Sequence, residues 1–229
     1  MNYYVDTADF EIVKEAFDLY PVKGVTMNPT IAMADLKGKN IDFFEQTKQI
    51  RKFIGKDTVF HIQVIGETTE DMIKDAEKLK EEIGGNLFVK IPACPQGYRA
   101  MRQLTNQGFQ ITATAIIDVN QALLAAASGA KVVAPYVNRI SNISGDGDKV
   151  LCDIVKALAH SEYDTKVIGA SFKSSLQVEK AAIAGAYGVA LGYDVLKSCA
   201  THVLTETSVT QFTKDWESTF GEGKQMHNL

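Results

Sequence analysis

Along the chain, short runs rich in β-branched and aromatic residues alternate with segments whose apolar residues recur at helical spacing. The runs YYVDT (3–7), VKGVT (22–26), TVFHIQV (58–64), NLFVKI (86–91), FQITATA (109–115), KVVAPYV (131–137), KVIGAS (166–171) and GVALG (188–192) predict eight strands. Between them, ADFEIVKEAFDLY (8–20), TTEDMIKDAEKLKEEIG (68–84), NQALLAAASG (120–129) and DKVLCDIVKALAH (148–160) predict helices. Thr68 or Thr69 offers an N-cap for the second of these, and Gly84 and Gly129 are natural helix stops. Eight strand–helix units over this length predict a parallel (β/α)8 barrel, the TIM-barrel class, as one domain over residues 1–229. A doubly wound open sheet is the structural alternative, weakened because no glycine-rich dinucleotide fingerprint follows the first strand. Beyond the eighth unit, TSVTQFTKDWESTF (207–220) predicts an extra helix with Val209, Phe212, Trp216 and Phe220 near one face. That face either folds back on the barrel or meets another subunit. The tail GEGKQMHNL (221–229) is polar and is expected to be mobile unless a partner holds it.

Side chains alternate faces along a strand, and in a barrel one face points into the closed interior. In NLFVKI this parity puts Leu87, Val89 and Ile91 under the helices and Lys90 inside with Phe88. The same test places Asp6, His61, Gln63, Thr112, Thr114, Tyr136 and Ser171 inside, with Thr26 and Asn28 at the end of the second strand. Polar groups from seven strands are thus expected at the C-terminal mouth, where barrel enzymes build their active sites. Individually, several have plain structural roles. A strand-end Asp or Thr often caps a helix, Gln63, Thr112 and Thr114 can form a satisfied polar layer, and His61, one layer deeper, reads as a hydrogen-bonded core histidine. Lys90 is harder to dismiss, since lysine is almost never fully buried unpaired. Its structural reading is an ion pair with Asp6 or another acid.

Composition narrows the field. The 229 residues are 45% hydrophobic and 23% charged, with a net charge of −4 and both signs dispersed. No basic footprint for nucleic acid and no polybasic membrane patch is present. The N-terminus lacks a signal-peptide pattern, and Cys94, Cys152 and Cys199 suggest neither a disulfide framework nor a zinc site. A cytoplasmic location is the expectation.

A buried amine has a use. Desolvation disfavours the ammonium form and frees the lone pair for attack on a ketone, and the resulting Schiff base is an electron sink for carbon–carbon cleavage. Lys131 and Lys166 open their strands at the opposite rim, and Lys74, Lys78 and Lys80 lie on a helix surface, so Lys90 is the candidate nucleophile. Tyr136 suits acid–base work, with Gln63 and Thr114 placed to hold a water between it and Lys90. Asp6 and Asn28 can bind substrate hydroxyls, and Arg139 with Ser171 forms an anion clamp, with Lys173 adding positive potential. His61, His160, His202 and His227 show no ligand spacing, and SGDGD (144–148) reads as a glycine-rich turn entering a helix, so no metal or other cofactor is expected.

With Lys90, GVTMNPT (24–30) and APYVNR (134–139) in place, the chain resembles the small-subunit transaldolase family, and within it the bacterial fructose-6-phosphate aldolase type. The resemblance runs from YYVDTAD to the DW-containing terminal helix. It implies a Schiff base on Lys90, substrate orientation and proton transfer by Asp6, hydroxyl binding by Asn28, and phosphate binding by Arg139 and Ser171. Transaldolases carry a glutamate and a phenylalanine where this chain has Gln63 and Tyr136, so the resemblance favours cleavage of fructose 6-phosphate to dihydroxyacetone and glyceraldehyde 3-phosphate. Transfer of the dihydroxyacetone unit to an aldose phosphate is the alternative, and a sugar-phosphate-binding barrel without turnover is the second. Met27 and Cys94 depart from the family pattern and are expected near the mouth, where they would bear on substrate range. The resemblance also implies a homo-oligomer, a pentamer or decamer, with exchanged C-terminal helices.

Overall fold

In the computed structural model, which describes residues 1–229, the strands close on themselves in chain order. They are β1 (Asn2–Asp6), β2 (Val22–Met27), β3 (Val59–Gln63), β4 (Leu87–Pro92), β5 (Gln110–Ile116), β6 (Val132–Pro135), β7 (Lys166–Gly169) and β8 (Gly188–Leu191). All neighbours are parallel, and β8 pairs with β1 to complete the barrel. No open sheet edge remains, which excludes the doubly wound alternative.

The helices are α1 (Phe10–Leu19), α2 (Pro29–Leu36), α3 (Phe43–Ile54), α4 (Thr69–Ile83), α5 (Pro95–Asn106), α6 (Val119–Ala127), α7 (Val137–Asn142), α8 (Gly147–Ala159), α9 (Ser175–Ile183), α10 (Tyr193–Ala200) and α11 (Val203–Phe220). Their starts are chemically marked. Asp9 caps α1, Asn28 caps α2 ahead of Pro29, Thr68 caps α4 and Asp146 caps α8, each side chain accepting from a backbone N–H of the first turn. The turn SGDGD therefore serves as a helix entrance. Two connections hold two helices rather than one, after β2 and after β6. Both extra helices, α2 and α7, are short and sit at the mouth. Before α7 the strand ends earlier than its apolar run implies: β6 stops at Pro135, and Tyr136 keeps only an isolated bridge to Ala170.

The core has two compartments. A large cluster lies between strands and helices and includes Leu87, Val89 and Ile91. A smaller one fills the barrel with Tyr4, Val132, Ala134, Tyr136, Ile168, Ala170 and Ala190, with Phe88 packed against it. This is the parity expected for β4. His61 stands edge-on to Tyr4, with centroids 5.4 Å apart, and 4.9 Å from the Phe88 ring. Gly24 is required by this packing, because a Cβ there would lie 2.3 Å from the Val59 carbonyl oxygen. Small inner residues on β6, just past β7 and on β8, namely Ala134, Ala170 and Ala190, leave room above them at the C-terminal end.

The last helix begins earlier than its apolar face suggests, at Val203, and none of its residues is buried. Val209, Phe212 and Phe220 are exposed, so the face does not fold back on its own barrel. The tail is ordered by local bonds: Gly223 N–H donates to Glu217 at 3.0 Å, and Gln225 and Asn228 cap a single 3-10 turn. No helix is long and apolar enough to cross a membrane.

Candidate active site

At the C-terminal mouth a cavity of about 600 Å³ is lined by Asp6, Asn28, Lys90, Tyr136, Arg139 and Ser171, with Lys173 also on its wall. Lys90 reaches it from β4, where Gln63 and Thr112 are its register neighbours on either side. Its side chain is only 3% exposed and takes part in none of the protein's ion pairs. The structural explanation of a buried lysine locked to an acid therefore does not apply. What the amine has instead is an opening onto a cavity.

The half-buried Asp6, the last residue of β1, accepts a 2.5 Å hydrogen bond from the Thr26 hydroxyl on β2. Burial pushes its carboxyl above the ordinary carboxylate range. The Lys90 charge and the Thr26 bond oppose that rise, and the nearby Asp35 carboxylate reinforces it. Tyr136 is 6% exposed, and its hydroxyl accepts from Thr114 at 3.1 Å. The Arg139 guanidinium lies 4.6 Å from the Tyr136 ring centroid. The tyrosine is thus fixed by a hydroxyl behind it and a cation in front. Asn28 spends its carbonyl oxygen capping α2, accepting from Ile31 N–H at 3.0 Å. Its amide nitrogen makes no hydrogen bond within the protein, and the residue lines the cavity.

Two of the inward threonines consequently act from behind rather than on the wall: Thr26 supports Asp6, and Thr114 supports Tyr136. Thr112 lies lower and bonds His61 Nδ1 at 2.8 Å. Burial, helped by the Lys90 charge, pushes the His61 imidazole down to about 3, so it is neutral at physiological pH. It is a core histidine, as the pattern indicated. Lys131 and Lys166 lie on a separate small cavity with Tyr4 and Tyr187, at the opposite end of the barrel.

Several expectations need correction. Gln63 does not line the cavity that Lys90 lines. It borders an adjoining apolar groove between α2, α3 and α4, which also touches Asn28, and its Oε1 is buried without a hydrogen-bond partner. Ser171 does not reach the mouth by strand parity, because β7 ends at Gly169 and the interior positions are Ile168 and Ala170. Instead its φ of 62° turns the chain and brings it to the wall. Met27 and Cys94 do not line the cavity. Met27 is packed in the helix-side core and borders the groove, because its parity is opposite to that of Thr26. Cys94 caps α5, its sulfur accepting from Gly97 N–H at 3.4 Å.

The pattern missed Thr7 and Asp35, which also line the cavity. Asp35 Oδ2 accepts from the Thr7 hydroxyl at 2.7 Å and from Ala8 N–H at 2.8 Å. No local pattern signals it, because Asp35 lies on α2, a helix without an apolar stripe to orient it.

A closed parallel barrel with a buried amine, a half-buried acid and a buried phenol on one C-terminal cavity defines the class: a (β/α)8 barrel built as barrel enzymes are. Thiamine phosphate pyrophosphorylase from Pyrococcus furiosus shares the fold with a TM-score of 0.58 at 16% identity, over 83% of this chain and 84% of its own. Sequence comparison is more specific. The profile described as Transaldolase/Fructose-6-phosphate aldolase matches residues 3–228, and the chain belongs to that family of aldolase-type enzymes. A probable fructose-6-phosphate aldolase from Streptococcus pneumoniae (strain ATCC 700669 / Spain 23F-1) is 38% identical over 216 residues, covering 94% of this chain and 96% of the relative. A probable transaldolase from Thermoanaerobacter sp. (strain X514) is 34% identical over 216 residues, covering 94% of this chain and 97% of that relative.

Proposed function

We propose that the protein is a class I aldolase that cleaves fructose 6-phosphate reversibly to dihydroxyacetone and glyceraldehyde 3-phosphate. The observation that carries this reading is the Lys90 amine, buried, free of ion pairs and open to the cavity shared with Asp6 and Tyr136. Lys90 attacks the C2 ketone, and the carbinolamine loses water to give an iminium ion. A base takes the C4 hydroxyl proton, the C3–C4 bond breaks, and its electron pair moves into the iminium to form an enamine. Glyceraldehyde 3-phosphate leaves, the enamine is protonated at C3, and water releases dihydroxyacetone and the free amine. Tyr136 and Asp6 are the proton-handling groups within reach of these steps.

Charge on the walls is consistent with that orientation. Arg139 and Lys173, with Ser171, line the β6–β7 side and suit a phosphate, while Asp6 and Asn28 line the β1–β2 side and suit neutral hydroxyls. Thr114 positions the phenol, and Gln63 Oε1, a buried acceptor beside Lys90 in register, is suited to a hydrolytic water. Hydrolysis of the dihydroxyacetone adduct is the step that distinguishes an aldolase from a transaldolase. Transfer to an aldose phosphate is the second reading, favoured by the relative of that name. A cytoplasmic homo-oligomer, a pentamer or decamer, completes the proposal. The unburied apolar residues of α11 support an intersubunit contact. Incubating the protein with fructose 6-phosphate alone tests the activity. Free dihydroxyacetone without any acceptor supports the aldolase, whereas product only after addition of erythrose 4-phosphate replaces it with the transaldolase.

A further inference from the structure

The residues that follow Asp6 are held in an unusual way. Thr7 and Ala8 are 3% and 0% exposed, and both donate to one oxygen, Oδ2 of Asp35, at 2.7 and 2.8 Å. The Thr7 hydroxyl in turn accepts from Asp9 N–H at 3.1 Å, and Ala8 C=O accepts from Gln46 at 2.8 Å. Asp9 starts α1, so the turn between β1 and α1 is bolted to α2 and α3 immediately beside the candidate acid. Asp35 is half-buried and lies on the cavity wall.

We propose that Asp35 is a positioning residue for Asp6: its Oδ2 clamps the turn that follows Asp6 and fixes the carboxyl at the cavity wall. The proposal rests on the aldolase reading of Lys90. An acceptor oxygen is what this clamp needs, because one atom takes two buried donors, and the carboxylate makes both bonds charge-assisted. Without it, a hydroxyl and an amide N–H in a buried turn lose their partner, and the strand end carrying Asp6 is free to relax. The charge matters separately. The groups facing the cavity around Asp6 are Lys90 on β4, Tyr136 and Arg139 at the end of β6 and on α7, Lys173 after β7, and Tyr193 and Asp194 on α10. Asp35 is the negative charge among them that raises the Asp6 pKa, against Lys90 and Lys173, which lower it.

The test compares Asp35→Ala with Asp35→Asn in the full-length protein. Asparagine keeps an oxygen that can accept both donors but removes the charge. Borohydride trapping with dihydroxyacetone is run on every variant to report Lys90, and fructose 6-phosphate cleavage is followed from pH 4 to 9. The expected result is a Lys90 adduct in all three proteins. Asp35→Ala should lose about tenfold or more in kcat, with KM within about threefold, as expected when a reacting group is displaced. Asp35→Asn should recover most of that kcat, and its acid limb should move to lower pH. A purely structural role would leave that limb in place. Wild-type kcat in Asp35→Ala, no rescue by Asp35→Asn, or an unmoved acid limb each overturn the role of Asp35. Absence of an adduct and of cleavage in the wild-type protein overturns the aldolase reading instead.

Discussion

Replacing Tyr136 by phenylalanine separates chemistry from packing with little ambiguity. The substitution removes one oxygen and leaves the ring in the barrel cluster with Val132, Ala134, Ile168 and Ala170, still stacked against Arg139. The direct structural loss is the 3.1 Å bond from Thr114, a residue with no exposed surface. A buried hydroxyl left without its acceptor costs about 1–3 kcal/mol. For a chain of this size that lowers Tm by roughly 2–12 °C, and the protein stays folded at 25 °C. If the phenol handles protons in the reaction, its removal costs about 10²–10⁴ in kcat, or roughly 3–5 kcal/mol of transition-state stabilisation. Thr114→Val is the control, since it breaks the same hydrogen bond and keeps the phenol. Cleavage is measured as dihydroxyacetone release from fructose 6-phosphate, and transfer as product formed with erythrose 4-phosphate. Tyr136→Phe should depress cleavage more than transfer, and Thr114→Val should fall less than about tenfold in either. A cleavage loss below tenfold, an unchanged ratio of cleavage to transfer, or equal effects of the two substitutions would refute the assignment.

Two pH-dependent predictions concern stability. His61 titrates at about 3 in the folded protein against 6.5 in a free side chain, so the unfolded chain binds more protons between those values. Its contribution is fully present above pH 6.5 and is lost as pH falls toward 3, by as much as roughly 1.4 kcal/mol per pH unit and roughly 5 kcal/mol in all. Urea titrations from pH 7 to 4 should show this slope, and His61→Asn should flatten it; an equally steep variant would assign the loss elsewhere. Asp6 has the opposite sign, because its carboxyl is raised in the fold above 3.8 and the native state holds the proton more tightly. Its penalty is absent below pH 3.8 and grows as pH rises through the folded value. Asp6→Asn, which keeps an acceptor for Thr26, should therefore raise Tm at pH 7 but not at pH 3 while abolishing most activity, and a lower Tm at pH 7 would contradict the account.

The alternation of β-rich and helical runs was sufficient to read the barrel, because a parallel barrel repeats one simple pattern and buries each strand on both faces. Strand parity likewise placed Lys90 and Asp6 correctly, and it marked Thr26 and Thr114 as inward. It could not distinguish a wall residue from one hydrogen-bonded behind the wall, since both share a parity; only Thr26 bonded to Asp6 and Thr114 bonded to Tyr136 resolve that. Parity failed where strands end. Ser171 arrives through a left-handed backbone position, and Gln63, the last residue of β3, borders the neighbouring groove rather than the cavity. Asp35 was invisible because its contact to Thr7 and Ala8 crosses between two βα units, and no local pattern encodes it. The terminal helix was legible as a helix, but the exposure of Val209, Phe212 and Phe220 was not, because apolar spacing does not encode what a face packs against.

The proposed aldolase chemistry stands on a Schiff base between Lys90 and a ketose substrate. Borohydride reduction in the presence of dihydroxyacetone, followed by intact mass and peptide mapping, tests it directly. The account predicts one stable adduct per chain, located on Lys90, and none in Lys90→Met with its Tm preserved. Failure to trap any adduct in the wild-type protein, or an adduct on another lysine that persists in Lys90→Met, would contradict it.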